Sequence, residues 1–337
     1  MGVFIVNQAE VEELLPMNEC MDAMAEALAA LARGDALMPL RTVVWLPERI
    51  GALVSMPSYL DGGDGAVAGL KVITVFPGNH ATDFDSHQGA VLLFETAHGR
   101  LLAIMDATAI TAIRTAAVSG VATRLLAREG AGDLAILGSG TQARTHLEAM
   151  LAARPIRRVR LWSRSSENAR RFAEREAGRR DVAVEVMASA REAVDGADLV
   201  CTTTSSREPV LLGEWLRPGA HVNAIGAVGP VARELDTAAI ARSRLFVDRR
   251  ESAVNEAGEF LLAKSEGAIG VDHIAGELGE VVLGSIAGRR SPDDITVFRG
   301  VGLAIEDLAA ARHVYRKAVE RGTGKVVELG GSRCAGA

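Results

Sequence analysis

Three basic residues in the first third of the chain stand alone in apolar surroundings. Lys71 lies in VAGLKVITVF, residues 67–76, Arg114 lies in AITAIRTAAVSG, and Arg41 enters LMPLRTVVWLP; none of these segments contains an acid. Taken singly, such a residue is more often snorkelling to water or paired with a distant acid. Taken together, the three predict a pocket for a carboxylate, which guanidinium groups bind bidentately and lysine binds as a point charge.

A glycine turn follows an apolar strand-like segment in LAILGSGTQA, residues 134–143. Gly138, Gly140 and Ala143 form a G-x-G-x-x-A pattern at the start of a predicted helix. The first glycine permits the tight turn, the second lets the backbone approach a pyrophosphate, and the alanine allows close packing of helix on strand. In this context the pattern predicts dinucleotide binding; a phosphate-free turn in an α/β domain is the alternative.

The end of the next predicted strand, RVRLWSRSS, bears on which dinucleotide is bound. Enzymes that use NAD usually place Asp or Glu there, against the ribose hydroxyls. This chain has Ser163, Arg164 and Ser165 instead. A guanidinium with two hydroxyls can bind a 2′-phosphate, and no carboxylate repels it. We therefore expect NADP(H) to be preferred and NAD(H) to remain usable; a solvated turn arginine is the alternative interpretation of Arg164.

The elements that must position these residues fall into two parts. Short β-branched segments between about 40 and 105, separated by Gly, Asn, Asp and Pro, predict an antiparallel sheet with hairpins. Helical spacing of apolar residues predicts helices over 17–33 and 110–127. From 133 onward, strands alternate with helices, which predicts a parallel sheet in a doubly wound α/β domain. A last long helix, 301–320, could return to the first part.

Composition limits the class of partner. The chain has 337 residues, 48% of them hydrophobic, and a formal net charge of −6. This balance argues against nucleic acid or an anionic membrane as the main partner. We see no secretory signal and no uninterrupted apolar run near the length needed to span a bilayer. Cys20, Cys201 and Cys334 are scattered without metal-ligand spacing, so we expect free thiols, no metal site and a cytoplasmic location.

Segments along nearly the whole chain resemble the ornithine cyclodeaminase/mu-crystallin family. They are, in order, Arg41, GLKVITVFPGN, SHQGAVLLFE, DATAITAIRTAAVSG, LGSGTQA, GAHVNAIGA, RELD, ELGEVVLG and ITVFRGVGLAIEDLAAA. The resemblance implies a homodimer with two domains. Residues 126–302 would form a dinucleotide-binding Rossmann domain. Residues 1–125 and 303–337 would form an α+β domain for substrate binding and dimerisation, built from both chain ends.

The resemblance also implies roles for the site residues. Arg41, Lys71 and Arg114 would line the substrate pocket and hold a carboxylate against the nicotinamide. Lys71 is our candidate proton donor, because a lysine desolvated beside two guanidiniums can have a depressed pKa. A purely electrostatic role for Lys71, or His87 or water as the donor, stays open. The predicted cofactor-binding residues are Gly138, Gly140, Thr141, Gln142, Ala143, Ser163, Arg164, Ser165, Thr203, Asn223, Ala224, Ile225 and Gly226.

Within such a family the reaction depends on one position. The cyclodeaminases carry an Asp where this chain has Val228, and valine can neither accept a proton nor hold an amine. We therefore predict an NAD(P)H-dependent reductase that converts α-imino acids, such as Δ1-pyrroline-2-carboxylate or Δ1-piperideine-2-carboxylate, to L-amino acids. The alternatives are an alanine-type dehydrogenase, a cyclodeaminase-like lyase and a non-catalytic protein that carries the cofactor. Arg299 could reach a second carboxylate, although a solvated edge residue is the expected reading.

Overall fold

A computed structural model describes residues 2–62, 65–179, 182–227 and 229–330. The chain divides into two compact units. The first unit is Met1–Arg114 with Leu303–Ala337, and the second is Thr115–Gly302. The first unit therefore contains both ends of the chain.

Strands and helices account for most of the described residues. In chain order they are β1 (Gly2–Val6), α1 (Gln8–Leu14), α2 (Met17–Arg33), β2 (Ala36–Leu37), β3 (Thr42–Trp45), β4 (Ala52–Leu60), β5 (Val67–Val75), β6 (His87–Glu95), β7 (Leu101–Asp106), α3 (Ala107–Leu126), β8 (Asp133–Leu137), α4 (Thr141–Ala153), β9 (Arg158–Trp162), α5 (Ser166–Ala177), β10 (Val184–Val186), α6 (Ala190–Val194), β11 (Leu199–Thr202), β12 (His221–Ala224), α7 (Thr237–Ala241), β13 (Arg244–Val247), α8 (Arg250–Glu256), α9 (Gly258–Ser265), β14 (Ile274–Glu277), α10 (Leu278–Val282), β15 (Thr296–Arg299), α11 (Ala304–Arg321) and β16 (Lys325–Glu328).

The sheet of the first unit has the order β16-β1-β7-β6-β5-β4-β2, with β3 paired to β4. The neighbours from β4 to β7 are antiparallel, as predicted, whereas β1 joins β7 in parallel. The last long helix, α11, packs on β4, β5 and β6, and α2 packs on α11. This helix thus belongs to the first unit.

Burial along β4 and β5 follows the alternation of a half-covered sheet. In both strands every second residue is buried, because one face lies beneath α11. The uncovered side and the neighbouring strand β3 leave apolar side chains exposed. These are Val43, Val44, Trp45 and Leu53.

The helix α3 is long and apolar enough to cross a membrane by length and composition alone. Its apolar window is, however, 78% buried inside the protein. That degree of burial is typical of a core helix in a folded domain.

The second unit contains a sheet in which all recorded pairs are parallel. Within the described residues its order is β10-β9-β8-β11-β12-β15-β13-β14. The first five strands follow the 3-2-1-4-5 order of a doubly wound nucleotide-binding fold, and β15 is inserted before β13. The residues of β11 and β12 are all buried, as expected for strands covered on both faces. The predicted Rossmann-type domain is confirmed.

Arg299, at the end of β15, is a buried structural residue. It is 1% exposed, and its Nε donates to the Oε2 of Glu259 on α9 at 2.6 Å. Its two Nη atoms donate to the carbonyls of Ala224 at 3.1 Å and Ala227 at 2.6 Å. The expectation of a solvated edge residue is therefore wrong. Its guanidinium is held by Glu259 and by carbonyls at the end of β12 and in the loop that follows.

Replacing Arg299 by Leu should destabilise the protein by about 3–5 kcal/mol, because the Glu259 carboxylate would stay buried without its counter-charge. Urea denaturation followed by circular dichroism measures the loss. The matched control is Arg158→Leu. That arginine lies in the same sheet and pairs with Glu185 at 2.6 Å, but both side chains are about half exposed. A loss for Arg299→Leu no larger than the loss for the control would contradict this account.

Candidate active site

Lys71 lies on the face of β5 that packs beneath α11. Its side chain is only 2% exposed. Its cross-strand neighbours are Met56 on β4 and Val91 on β6, which are apolar and buried. An ammonium group in such surroundings needs a partner of opposite charge.

Asp307, on α11, is that partner. Its Oδ2 lies 2.7 Å from the Nζ of Lys71, and its Oδ1 accepts a 2.9 Å hydrogen bond from the Nε of Arg114. The adjacent Glu306 accepts a hydrogen bond from the Nη1 of Arg114 at 2.6 Å. Lys71 and Arg114 therefore already hold resident carboxylates. The local sequence around the two cations gave no sign of them, because they come from the far end of the chain.

The first turn of α11 approaches the sheet closely because Gly69 has no side chain. A Cβ at Gly69 would lie 2.6 Å from the Cδ1 of Leu308, the residue that follows Asp307. Ser58 on β4 donates a 3.1 Å hydrogen bond to the carbonyl of Ala304 in the same turn. The helix dipole also favours carboxylates in the first turn. These contacts place the Asp307 carboxylate over β5.

The pKa of Lys71 is lowered from its usual value to about 8. Burial is the main cause; Asp307 opposes it, and the positive charges of Arg114 and Arg41 add to it. Arg41 is partly buried just before β3, and its effect on Lys71 means that all three predicted cations lie in one neighbourhood. A lysine of this kind can lose and regain a proton near neutral pH, as acid–base catalysis requires.

The resident contacts determine which donors can meet an incoming carboxylate. Of the three Lys71 protons, one serves Asp307 and one can serve the hydroxyl of Thr111, whose Oγ1 is 3.5 Å from Nζ. Arg114 uses its Nε and one Nη1 proton on the two acids. Among the described residues, the protons left for a ligand are one on Lys71, one on the Nη1 of Arg114 and the two on its Nη2.

His87, the other side chain considered as a proton donor, lies further along the sheet. In the pairing of β5 with β6, Val91 is opposite Lys71 and His87 is opposite Val75. The four-residue offset corresponds to roughly 13 Å along the strand. The Nδ1 of His87 is 3.1 Å from the Oγ of Ser86. Lys71, and not His87, is thus the titratable base beside the acid pair.

The glycine turn of the second unit has the conformation that the motif requires. Gly138 has φ +120°, and a Cβ there would lie 2.7 Å from the carbonyl oxygen of Thr203. A Cβ at Gly140 would meet no protein atom within 4 Å, so its lack of a side chain leaves open space. Gly140 is the N-cap of α4, and no side chain caps that helix. The amides of the first turn, Thr141–Ala143, are therefore available to the phosphates that the motif predicts.

The loop after β9 contains the residues expected to select the dinucleotide. The hydroxyl of Ser139, in the glycine turn, donates to the Oγ of Ser163 at 2.9 Å. Arg164 is exposed. Ser165 is the N-cap of α5 and accepts a 3.2 Å hydrogen bond from the amide of Asn168. Ser163 thus lies directly beside the glycine turn, whereas the hydroxyl of Ser165 already accepts one hydrogen bond within its own helix.

The predicted cofactor residues after β11 and β12 are largely buried. Thr203 is 9% exposed and donates to a carbonyl at the end of β8 at 3.0 Å. Asn223 is fully buried, and its Nδ2 donates to the Oγ1 of Thr123 at 2.9 Å. Ala224 and Ile225 are buried as well. The Nδ2 of Asn223 is therefore engaged in the core, whereas its Oδ1 accepts no hydrogen bond from the described residues.

Glu234 holds the two loops at this edge of the sheet. Its carboxylate accepts hydrogen bonds from the hydroxyls of Thr202 and Thr204 at 2.9 and 2.7 Å. It also accepts from the amides of Thr204, Gly226 and Ala227 at 2.6, 2.6 and 3.3 Å. Burial raises the pKa of Glu234 despite these donors. Sequence reasoning noted RELD only as part of a resemblance; nothing local marks this glutamate as buried.

Paired alanine substitutions at the two glycines should separate backbone strain from ligand contact. Gly138→Ala should destabilise the free protein by more than about 1 kcal/mol, because its φ is positive and a backbone oxygen lies too close. Gly140→Ala should change stability by less than about 1 kcal/mol. It should nevertheless weaken dinucleotide binding roughly tenfold or more, about 1.4 kcal/mol. Thermal unfolding and NADPH fluorescence titration measure the two effects. Unchanged affinity in Gly140→Ala would exclude phosphate binding at this turn.

Known proteins resemble this chain over most of its length. The sequence profile of the ornithine cyclodeaminase/mu-crystallin family matches residues 3–322. The ketimine reductase mu-crystallin of Mus musculus is 44% identical over 282 residues, which cover 84% of this chain and 85% of that protein.

Two solved structures share the fold over almost the whole chain. The Δ1-pyrroline-2-carboxylate reductase of Thermococcus litoralis, in complex with NADH and L-proline, is 37% identical, with a TM-score of 0.93 over 96% of this chain and 100% of that one. An archaeal alanine dehydrogenase, solved as a dimer with NAD bound, is 36% identical, with a TM-score of 0.91 over 98% and 100%. The chain therefore belongs to the ornithine cyclodeaminase/mu-crystallin family.

Proposed function

We propose that this protein is an NAD(P)H-dependent imine reductase that converts cyclic or N-substituted α-imino acids to L-amino acids. The observation that carries this conclusion is the buried group of Lys71, Arg114 and Asp307. It combines a cationic edge for a carboxylate with an amine that titrates near neutral pH. The ketimine and pyrroline-2-carboxylate reductases to which the chain is similar act on substrates of this kind.

The residues of the first unit have distinct tasks in this reaction. The remaining Nη protons of Arg114, with Arg41, bind the substrate carboxylate and fix its orientation. The remaining Lys71 proton is directed at the imine nitrogen, which must be protonated as the carbon is reduced. The dinucleotide, when bound, supplies the hydride. Burial beneath α11 leaves the Lys71 side chain only 2% exposed, which strengthens its electrostatic interactions within the site.

Two alternatives in the same family differ in the nitrogen chemistry. An alanine-type dehydrogenase would use the same carboxylate contacts but take free ammonia. A cyclodeaminase would need a carboxylate at position 228, where the sequence has Val228. That residue lies outside the described residues, so its role stays a prediction from the sequence.

The cofactor preference that we propose is NADPH over NADH. Support comes from this chain's own turn: Ser163 lies beside the glycine turn and Arg164 is exposed next to it, without a carboxylate in the 163–165 segment. Two of its relatives were solved with NADH or NAD, so they do not support a preference for NADPH. The proposed preference for NADPH depends on residues 163–165 of this chain.

The assembly that we propose is a homodimer. The uncovered side of the first sheet and strand β3 expose Val43, Val44, Trp45 and Leu53, of which Trp45 is 58% exposed. Val44 and Leu53 are cross-strand partners, and neighbouring exposed apolar side chains can form a protein–protein interface. The archaeal alanine dehydrogenase was solved as a dimer.

A substrate panel tests the reaction class. With NADPH, the protein should oxidise the cofactor in the presence of Δ1-pyrroline-2-carboxylate, Δ1-piperideine-2-carboxylate or pyruvate plus methylamine. With pyruvate plus ammonia the rate should be much lower. Absorbance of the reduced nicotinamide measures all four reactions. With ornithine and NAD(P)⁺ no ammonia should be released, because a valine at position 228 offers no proton acceptor for the amine.

Each other outcome selects a different reaction. Sustained release of ammonia and proline from ornithine, without imine reduction, would identify a cyclodeaminase. A highest rate with pyruvate plus ammonia would identify a dehydrogenase. Cofactor binding without turnover on any substrate would identify a binding protein. Any of these would refute the proposed reductase.

Charge at position 163 should control the choice of dinucleotide. Ser163→Asp should abolish or reverse the preference for NADPH, because a carboxylate repels the 2′-phosphate and accepts from the ribose hydroxyls of NADH. Arg164→Gln should weaken NADPH roughly tenfold or more, since a charge-assisted hydrogen bond contributes about 1.5–3 kcal/mol. It should leave NADH binding unchanged. Fluorescence titration gives the six dissociation constants of the three proteins for NADPH and NADH, and tighter binding of NADH to the unmutated protein would refute the proposed preference.

A further inference from the structure

Lysine is rare in this chain. It occurs only at positions 71, 264, 317 and 325, among 37 Lys and Arg residues. Lys264 and Lys325 are exposed, and Lys317 lies 2.7 Å from the surface residue Glu19. The buried cations that serve structure, such as Arg299, are arginines. Lys71 is thus the one lysine whose side chain is enclosed in the described core. An arginine there could pair with an acid but could not release a proton.

The contacts of Asp307 connect this lysine to the substrate-binding guanidinium. Oδ2 faces the Nζ of Lys71 at 2.7 Å, and Oδ1 receives the Nε of Arg114 at 2.9 Å. All three side chains are almost fully buried. We infer that Asp307 is a positioning residue for the reductive step: one oxygen keeps Lys71 protonated and directed, while the other fixes Arg114 for the substrate carboxylate. This inference rests on the imine reduction proposed above.

The proton and the electron pair balance in the step that Asp307 supports. Lys71 gives one proton to the imine nitrogen, and the imine carbon takes a hydride from a reduced nicotinamide. The C=N double bond becomes a C–N single bond, the nicotinamide is oxidised, and neutral Lys71 regains a proton from solvent. The negative charge of Asp307 favours reprotonation of Lys71, so the proton donor is restored for the next turnover.

The surroundings of Lys71 show why Asp307 is needed. Burial and the charges of Arg114 and Arg41 all lower the pKa of Lys71, and Asp307 is the main influence that raises it. From α2, Cys20 faces Arg114 and Glu306, and burial raises its thiol pKa so far that it stays neutral. Met56 and Val91, on the adjacent strands, carry no charge.

Glu306 provides a matched comparison. It is adjacent to Asp307, equally buried, and bound to the same guanidinium through Nη1 at 2.6 Å. It also accepts a hydrogen bond from the amide of Leu303 at 3.2 Å, where it caps α11. Removing either carboxylate therefore disturbs Arg114, but removing that of Asp307 also takes away the acid that pairs with Lys71.

The test uses protein labelled with [ε-¹³C]lysine in a deuterated background, which gives four lysine signals; Lys71→Arg identifies that of Lys71. In the unmutated protein this signal should titrate near pH 8, and an ordinary lysine pKa would overturn the inference. Asp307→Asn should lower the pKa of Lys71 by roughly 1–3, since a nearby opposite charge has an effect of that size. Asp307→Glu should restore most of it, and Glu306→Gln should move it much less.

Kinetics separate the positioning role from the proposed function. With Δ1-pyrroline-2-carboxylate and NADPH, kcat should fall as pH rises through the Lys71 pKa, because the donor is then neutral. In Asp307→Asn the fall in kcat should occur at lower pH, displaced by the same amount as the Lys71 pKa in the NMR titration. The Kd for NADPH should not change. A displaced lysine titration with an undisplaced rate profile would overturn the inference and leave the reductase intact. Absence of imine reduction in the unmutated protein would refute the reductase, and the inference with it.

Discussion

The cost of burying charge determines how this chain is assembled. Lys71 lies in an apolar strand and Arg114 on an apolar helix, and neither can be buried without an acid. Their acids, Glu306 and Asp307, are 192 and 193 residues beyond Arg114. The first unit can therefore bury its cations only when the C-terminal helix has returned to the N-terminal sheet. This requirement explains why both chain ends contribute to one unit, and why Gly69 is kept free of a side chain beneath that helix.

The second unit satisfies the same requirement with different groups. Glu234 accepts from the loops after β11 and β12, and Glu259 pairs with Arg299 and accepts from the amide of Glu234 at 3.0 Å. Asp248 accepts from the amides that follow β15 at 2.7 and 2.8 Å. These loops are thus fixed by internal carboxylates. The glycine turn after β8 has no such side-chain partner at the N-terminus of α4, which leaves its amides for a ligand.

The difference between local patterns and long-range contacts explains which features could be predicted from the sequence. The glycine turn, the serine-rich end of the second strand and the isolated cations are local patterns whose chemistry is independent of the fold. The acids that neutralise the cations are not local, so they were missed, and Arg299 was misjudged because Glu259 lies forty residues away. The insertion of β15 between β12 and β13 is likewise a matter of long-range pairing, which strand periodicity cannot reveal. The Nδ2 of Asn223 donates to Thr123, and the role of this residue at the cofactor stays a prediction.

The resident acids have two opposing effects on substrate binding. Because Asp307 and Glu306 hold Lys71 and Arg114 before any ligand arrives, the donors need no reorganisation when a carboxylate enters, which is the condition for strong electrostatic stabilisation. Every donor that they occupy is, however, unavailable to the substrate. Arg114 retains one Nη1 proton and the Nη2 group, and Lys71 retains one proton. The arrangement therefore favours orientation over the number of contacts. Hydride transfer to a planar imine depends on orientation most of all, since the reacting atoms must approach to about 3–3.5 Å in a fixed alignment.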